Sequence, residues 1–434
     1  MKTLQTLSLL GLSVVLAGAV GSGCVIEETA ADGGDGGSNS SSSSGTGGAI
    51  QTSEHISEAE LTRMVSALAA DAMDGREPGT PGGDMARAYI MDEMLRCGLQ
   101  PVVNGSYEQR IATGQGSNLL GLIPGTDPAL AARHVILSAH FDHLGHCDGA
   151  ICNGANDNAA GVAIVLGVAC ALAEDPPPQS VLIATWDAEE PPAFSTAAMG
   201  SEFYAANPIV PLEQTDAVIV EELVGGGLWL GHPAHYLTGA ELSPQLAGAI
   251  AATPAPTGLP VGRGGLHMLE ELPTGHQAWS DYDAFRNRQV PVVMAVNGFN
   301  QTYHSETDEV NTLNLPKMAL QAQYTLDLMR TLTSGGEKPV FVADGADYAL
   351  DAYFTKVLLE EALAPGTGIV DVMGLAPESR TNLEADLVTV TALGDKLGGG
   401  TPASPQDVAT LRGAFQRMFC YAYPFYPEAA CNMM

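Results

Sequence analysis

Four runs of strand length are almost continuously apolar: HVILSAHF at 134–141, SVLIATWD at 180–187, DAVIVEELV at 216–224 and VPVVMAV at 290–296. None shows the apolar–polar alternation of a sheet with one face in water. Each is therefore expected to be covered on both faces. Between and after them lie helix-like stretches, AAGVAIVLGVACALAE at 159–174, MGSEFYAAN at 199–207, SPQLAGAIAA at 243–252 and LPKMALQAQYTLDLMRTLTS at 315–334. Strands alternating with helices in this way predict a three-layer α/β/α fold with a mostly parallel central sheet. Two helices are expected ahead of the sheet. One lies in 53–73, capped by Ser53 or Ser57 with an apolar stripe at Ile56, Leu61, Met64 and Leu68, and one spans 84–97. The turn-rich DGREPGTPGG separates them.

In open α/β sheets the ligand site lies beyond the carboxyl ends of the strands. The polar residues of this chain gather at those ends. His140 and Asp142 follow the first run, Asp157 opens the helix after it, Glu189 and Glu190 follow the second run, and His304 lies downstream in YHSETDEV. Charged groups leaving water need partners, and a divalent cation suits this mixture of imidazoles and carboxylates. His140, Asp157, Glu190 and His304 are candidate ligands. Glu189, beside a ligand, is a candidate base, and Asp142 is placed to hold the His140 imidazole in one tautomer. The plainer readings are a satisfied core histidine for His140, a helix cap for Asp157 and a solvated pair for Glu189–Glu190. The joint occurrence of all of them favours the metal. His143 and His146 read as loop residues.

The chain has 434 residues, 45% hydrophobic and 16% charged, with 50 acids against 18 bases for a formal net charge of -32. That balance opposes nucleic acid and anionic membrane surfaces as partners. Lys2, an apolar stretch at 4–20 and the small residues before Cys24 read as an export signal of lipoprotein type, with Cys24 as the lipidated residue. Conventional cleavage is the alternative. The expectation is export, to a bacterial cell envelope through the lipid or to the extracellular space, with no other membrane contact. Residues 25–50 are a Gly/Ser-rich linker. Cys147 with Cys152 and Cys420 with Cys431 are plausible local disulfides, whereas Cys97 and Cys170 fall in helix-like stretches and read as buried thiols. From Gly335 the pattern weakens to helix at 348–363 and 405–420 with turns between, a partly helical C-terminal extension. Its aromatic end, with Tyr421, Tyr423, Phe425 and Tyr426, either docks substrate or staples the tail to the body.

The motifs GREPGTPG, HFD at 140–142, GANDN around Asp157, AEE at 188–190, MGS at 199–201, SDYDAF at 280–285 and YHSETD at 303–308 occur in an order that closely resembles the M28 family of zinc exopeptidases. The resemblance covers about residues 55–333. It implies two Zn2+ ions per chain: His140 and Asp157 on one, Asp157 bridging to a second held by Glu190 and His304, Glu189 as general acid/base and Asp142 orienting His140. It also implies a cis peptide after the bridging aspartate, Asp157–Asn158. The fifth ligand of the family is usually Asp; here the register offers Glu222 in EELVG at 221–225, with Glu221 as the alternative. A second departure is the insertion AEEPPAFSTAAMGS, beside the base, where it is placed to shape specificity. Asp281 and Asp308 read as structural supports.

The chain is thus expected to comprise a signal peptide (1–24), the linker (25–50), a zinc peptidase domain (51–334) and an extension of unknown role (335–434). The leading expectation is an exported dizinc aminopeptidase. It would hydrolyse peptides with a free, apolar N-terminal residue, using a metal-activated water and Glu189 as base. The alternatives are a glutaminyl-cyclase-like acyltransferase with a single zinc and a non-catalytic binding protein on a peptidase scaffold.

Overall fold

The computed structural model describes residues 53–112, 114–272, 275–423 and 425–434. The expected signal peptide, the linker and Cys24 lie outside the described residues. The seven principal strands of the sheet are β1 (Ser117–Ile123), β2 (His134–His140), β3 (Ser180–Trp186), β4 (Thr215–Glu222), β5 (His235–Thr238), β6 (Val261–Gly264) and β7 (Val292–Val296). They run in the spatial order β1-β3-β2-β4-β7-β5-β6, with short strands Gln100–Pro101 and Glu108–Arg110 beside β1. The four central strands β3, β2, β4 and β7 are mutually parallel. β1 and β5 join them antiparallel, at opposite sides. The three-layer α/β/α class and the largely parallel centre are as the sequence indicates. The antiparallel flanks come from runs too short or too mixed to read as buried strands.

Alternate residues of each strand serve opposite faces. On one face Val135, Leu137, Val181, Ile183 and Ile219 meet α1 (Glu58–Leu68), α2 (Pro81–Arg96), α3 (Ala160–Glu174) and α4 (Leu315–Leu332). Helix α1 starts where Ser57 accepts from the Glu60 N–H, and it buries Leu61, Met64, Val65 and Leu68. Helix α2 starts at Pro81, behind a Thr80 cap, three residues earlier than expected. Helix α3 is apolar nearly all round and buried from Ala160 to Leu172. Together with the turn before it, Ala155–Glu174 is long and apolar enough to cross a membrane by composition, but it is packed inside the protein beneath the sheet.

On the other face Ile136, Leu182, Val218, Val220 and Val292 share a core with α5 (Tyr348–Ala362), α6 (Pro377–Gly398) and α7 (Pro405–Ala422). The last hundred residues therefore supply part of the third layer. Helix α6, expected as turns, has 22 residues and buries Leu383, Val390, Leu393 and Leu397. Helix α7 begins with a Ser404–Asp407 capping box ahead of Pro405. Polar ties lock the layer: the Gly265 N–H donates to Asp351 (2.8 Å) and the Trp229 indole donates to the Thr367 carbonyl (2.8 Å).

All six cysteines of the folded body pair. Cys147–Cys152 and Cys420–Cys431 follow the sequence spacing, each with Cα atoms 5.6 Å apart. Cys97 and Cys170, expected as thiols, also form a disulfide, because the end of α2 crosses α3 with a Cα–Cα distance of 4.7 Å.

Phe354, Leu358, Leu359, Phe415 and Met418 of the extension are all buried. At about 1.5–3 kcal/mol each, their burial amounts to roughly 10 kcal/mol, comparable with the whole margin of a folded domain. A chain ending at residue 334 is expected to bind a hydrophobic dye strongly and to lose cooperative thermal unfolding. A truncated protein that melts cooperatively near the full-length temperature would contradict this packing.

Candidate metal centre

His140 is the last residue of β2, and its side chain is buried. The chain leaves the strand through Phe141, Asp142 and His143, then returns at 154–158 to begin α3. Gly154 sits in the left-handed region at φ 54°, and a Cβ there would come within 2.2 Å of the Asp157 carbonyl. Only glycine fits this return. Beyond β3 and β4, Ala188 (φ 59°) and Leu223 (φ 50°) are also left-handed. They flank the points where Glu189–Glu190 and Glu222 turn toward His140. His304 is itself left-handed (φ 53°) and stacks on Tyr303 with ring centroids 3.8 Å apart.

These turns bring together residues separated by up to 164 positions. The two oxygens of Asp157 face different partners. Oδ1 lies 3.4 Å from His140 Nε2, and Oδ2 lies 3.3 Å from His304 Nε2. Glu222 Oε1 is 3.5 Å from His140 Nε2, and Glu190 Oε2 is 3.2 Å from His304 Nε2. Two donors bound about 2.0–2.1 Å from one tetrahedral zinc stand roughly 3.4 Å apart. The four spacings match that figure, and His304 Nε2 is buried without a hydrogen-bond partner. The donor set therefore fits a pair of zinc ions, with Asp157 reaching both. The Asp157–Asn158 peptide is cis.

Three buried supports fix the ligands. Asp308 accepts from the Asn156 and Asp157 N–H groups (2.9 and 3.0 Å). Asp142 accepts from the Glu189 and Glu190 N–H groups (3.0 and 3.1 Å), with an oxygen 3.6 Å from His140 Nδ1. It thus clamps the β3 exit as well as lying beside the imidazole. Arg76, from the turn-rich GREPGTPG segment, is fully buried. It donates to the carbonyls of Phe141 (2.7 Å), Leu68 (2.8 Å) and Gly154 (2.9 Å), tying together the two loops that carry the site. Burial lowers its pKa to about 10, with the carboxylates of Asp157 and Asp142 opposing, so it stays charged at neutral pH.

Three residues do more than their sequence positions suggested. His143, expected in a loop, is buried and pairs with Glu190 through Nδ1 at 2.9 Å. Although His143, Asp157 and Glu190 form a compact donor group, 2.9 Å is a hydrogen-bond length and Asp157 Oδ2 is 3.9 Å away. His143 therefore orients Glu190, while His304 has the spacing of a shared ion. Ser280 donates to Glu222 Oε2 at 2.6 Å. Asp281 is buried beside the site, and burial pushes its carboxyl up to about 7.

The electrostatics reflect the crowding. Burial disfavours charge on the Asp157 carboxylate, but the His140 and His304 imidazoles beside it outweigh that and hold Asp157 well below its ordinary value. Burial also opposes the His304 imidazolium, yet Asp157 and Glu190 raise it to about 10. Glu189 lines the cavity over the site, and burial pushes its carboxyl well above the ordinary range, with Glu190 and Glu222 adding to the effect. Glu221, the alternative ligand, faces away from the site. It accepts from the Thr325 hydroxyl at 2.7 Å, and burial pushes it up to about 7.

Glu222→Gln is accordingly expected to lower the metal content of the purified protein, measured by mass spectrometry, and Glu221→Gln to leave it unchanged. The raised Glu221 pKa also fixes a sign. An acid whose folded pKa exceeds its unfolded value of 4.5 lowers stability as it ionises. The penalty is absent below pH 4.5, grows toward 7 and is complete above. Glu221→Gln should therefore gain stability over wild type between pH 5 and 8, on the order of a few kcal/mol by denaturant titration. A gain that is flat with pH would contradict the burial of that carboxyl.

A cavity of about 220 Å³ opens over Glu189, Asp157 and His304 and runs toward the C-terminal helices. Pro191 and Phe194, from the insertion after the paired glutamates, form part of its wall.

Residues 118–329 match the sequence model of peptidase family M28. No curated protein matches the chain. Among solved structures, a Zn-dependent exopeptidase from Parabacteroides distasonis is 19% identical, with a TM-score of 0.50, covering 63% of this chain and 98% of that one. LapB from Legionella pneumophila is 17% identical, with a TM-score of 0.53 and coverages of 64% and 73%. Porphyromonas gingivalis glutaminyl cyclase is 18% identical, with a TM-score of 0.51 and coverages of 63% and 97%. At these identities the likeness is one of fold.

Proposed function

We propose that this chain, whose residues 118–329 match the model of peptidase family M28, is a dizinc aminopeptidase acting on peptides with a free N-terminus. The observation that carries the proposal is the division of Asp157 between two imidazole–carboxylate clusters at zinc-like spacing. His140, Asp157 and Glu222 would hold one ion, and Asp157, Glu190 and His304 the other. A bound metal pair acidifies water and neutralises charge developing on the attacked carbonyl oxygen.

The remaining chemistry belongs to the chain. Glu189 Oε2 lies 3.9 Å from His140 Nε2, at the floor of the cavity, where a water and a scissile carbonyl would meet. Its raised pKa suits it to take the water's proton and return it to the departing amine. Asp142 positions Glu189 and Glu190 through their backbone, and His143 and Ser280 hold Glu190 and Glu222. Burial of the cluster excludes bulk water from the proton transfer.

A cyclase acting on N-terminal glutamine shares the fold but would need partners for the glutamine side-chain amide, and most of the cavity lining outside the metal centre is apolar. Retention of Glu189 argues against an inert scaffold. The N-terminal sequence supports export with a lipid on Cys24, and the charge of -32 argues against nucleic acid as a partner.

The test uses aminoacyl chromogenic amides, N-blocked counterparts and a glutaminyl peptide, each with and without chelator. The expected outcome is metal-dependent hydrolysis of the free-amine substrates only. Formation of pyroglutamate without amide hydrolysis would replace the peptidase reading with the cyclase one. Glu189→Gln should keep its metal and lose about 10²–10⁴ in kcat; undiminished turnover would remove Glu189 from the role of base.

A further inference from the structure

The cavity over the metal centre is built by two parts of the chain. Its near end is the centre itself, and one side is Trp279, Val296 and Phe299 of the body. The extension supplies a further share of the lining: Phe354 and Leu358 of α5, Phe415, Met418 and Phe419 of α7, and Tyr423 and Phe425 beyond it. None of these residues falls in the segment 118–329 that matches the family.

The rings interlock across the boundary. Phe299 meets Tyr423 at 5.1 Å and Phe419 at 5.8 Å between centroids, both edge to face. Phe425 packs edge-on against Tyr303 at 6.1 Å, and Tyr303 stacks on His304. The extension thus reaches a candidate ligand through one intervening ring. Its end is held in place by the Cys420–Cys431 disulfide, by Gln301 donating to the Ala422 carbonyl (3.1 Å) and by the Tyr421 hydroxyl donating to Asn432 (2.5 Å).

The chemistry of the wall limits what enters. Every charged residue lining the cavity belongs to the metal centre. Asn297, a neutral polar lining residue, is already engaged, donating to the Val224 and Gly226 carbonyls and accepting from Gln321. Thr238 and Gln277 add neutral polar atoms, so a lysyl, arginyl or acidic side chain would meet no opposite charge there outside the metal centre, at a large desolvation cost. An apolar cavity of roughly 150 Å³ admits benzene, so 220 Å³ accommodates a phenylalanyl or leucyl side chain. A glycyl or alanyl residue would leave most of it empty.

We propose that the C-terminal extension forms the distal wall of the side-chain subsite and selects a bulky apolar residue at the bond cleaved. The proposal rests on the exopeptidase reading above and adds to it the segment of the chain, outside the family match, that sets the side-chain preference.

The full chain, loaded with zinc, should be assayed on phenylalanyl, leucyl, alanyl and lysyl chromogenic amides. The expected kcat/KM for the phenylalanyl and leucyl substrates exceeds that for alanyl and lysyl by tenfold or more, in the range a hydrophobic pocket supplies. Met418→Trp, which fills the chamber from the extension, should lower the phenylalanyl-to-alanyl ratio at least tenfold, with its fold checked by circular dichroism and thermal melting. If that variant does not fold, Phe425→Ala replaces it. Phe425 is 57% exposed at the mouth, and its loss should raise KM for the phenylalanyl substrate more than it lowers kcat. An unchanged ratio in folded Met418→Trp, an unchanged KM in Phe425→Ala, or wild-type preference for alanyl or lysyl amides overturns the subsite while leaving a peptidase. Absence of hydrolysis of every amide by the wild type overturns the exopeptidase reading and the subsite with it.

Discussion

The structure turns on the problem of burying Asp157. This carboxylate lies in the turn just before α3, out of water, beside Glu190 and Glu222, with one histidine reaching it from the end of β2 and another from a loop more than a hundred residues further on. Like charges at this separation in a poorly polarisable interior repel strongly. The surrounding carboxylates push the His140 and His304 imidazoles up, against the effect of burial, and burial pushes the Glu189 carboxyl up, so the cluster favours bound protons wherever no cation balances its charge. A pair of divalent cations resolves the same conflict without protons, and ligand spacings of 3.2–3.5 Å leave room for them.

The elements around the site make sense as devices that hold this arrangement. Ridge-like packing of an apolar α3 under the sheet fixes where Asp157 emerges. Asp308 pins its backbone, Arg76 ties the adjoining loops through their carbonyls, and Asp142 fastens the β3 exit to the β2 exit. Each support is a buried charge with several hydrogen bonds, so removing one partner strands another. The left-handed residues at the strand exits store conformational strain at the places where ligands must turn inward.

The sheet and its helices were legible because continuous apolar runs leave few alternatives, and the strand ends foretold where His140, Asp157 and Glu190 meet. Other features depend on contacts that a linear pattern does not encode. Helix α6 carries its apolar residues at Leu383, Val390, Leu393 and Leu397, a narrow stripe diluted by threonines and valines of low helix propensity. The Cys97–Cys170 bond needs the crossing of α2 and α3. His143 stands one residue past the HFD motif, and nothing local distinguishes a loop imidazole from one that holds Glu190. Between Glu221 and Glu222 the motif register offered Glu222, and the strand turns the two to opposite sides, Glu222 toward His140 and Glu221 toward Thr325. The extension's part in the cavity was hinted at by its aromatic end but not placed by it.

The extension and the body share one apolar core and one cavity, so the proposed side-chain selection would be linked to fold stability through the same aromatic residues. All of this presupposes that Asp157 joins two cations. The most direct measurement is anomalous X-ray scattering at the zinc absorption edge from crystals of the purified protein. Two peaks are predicted, one on either side of the Asp157 carboxylate, the first bounded by His140 and Glu222 and the second by Glu190 and His304. A single peak, or none after soaking in zinc at neutral pH, would contradict the shared centre.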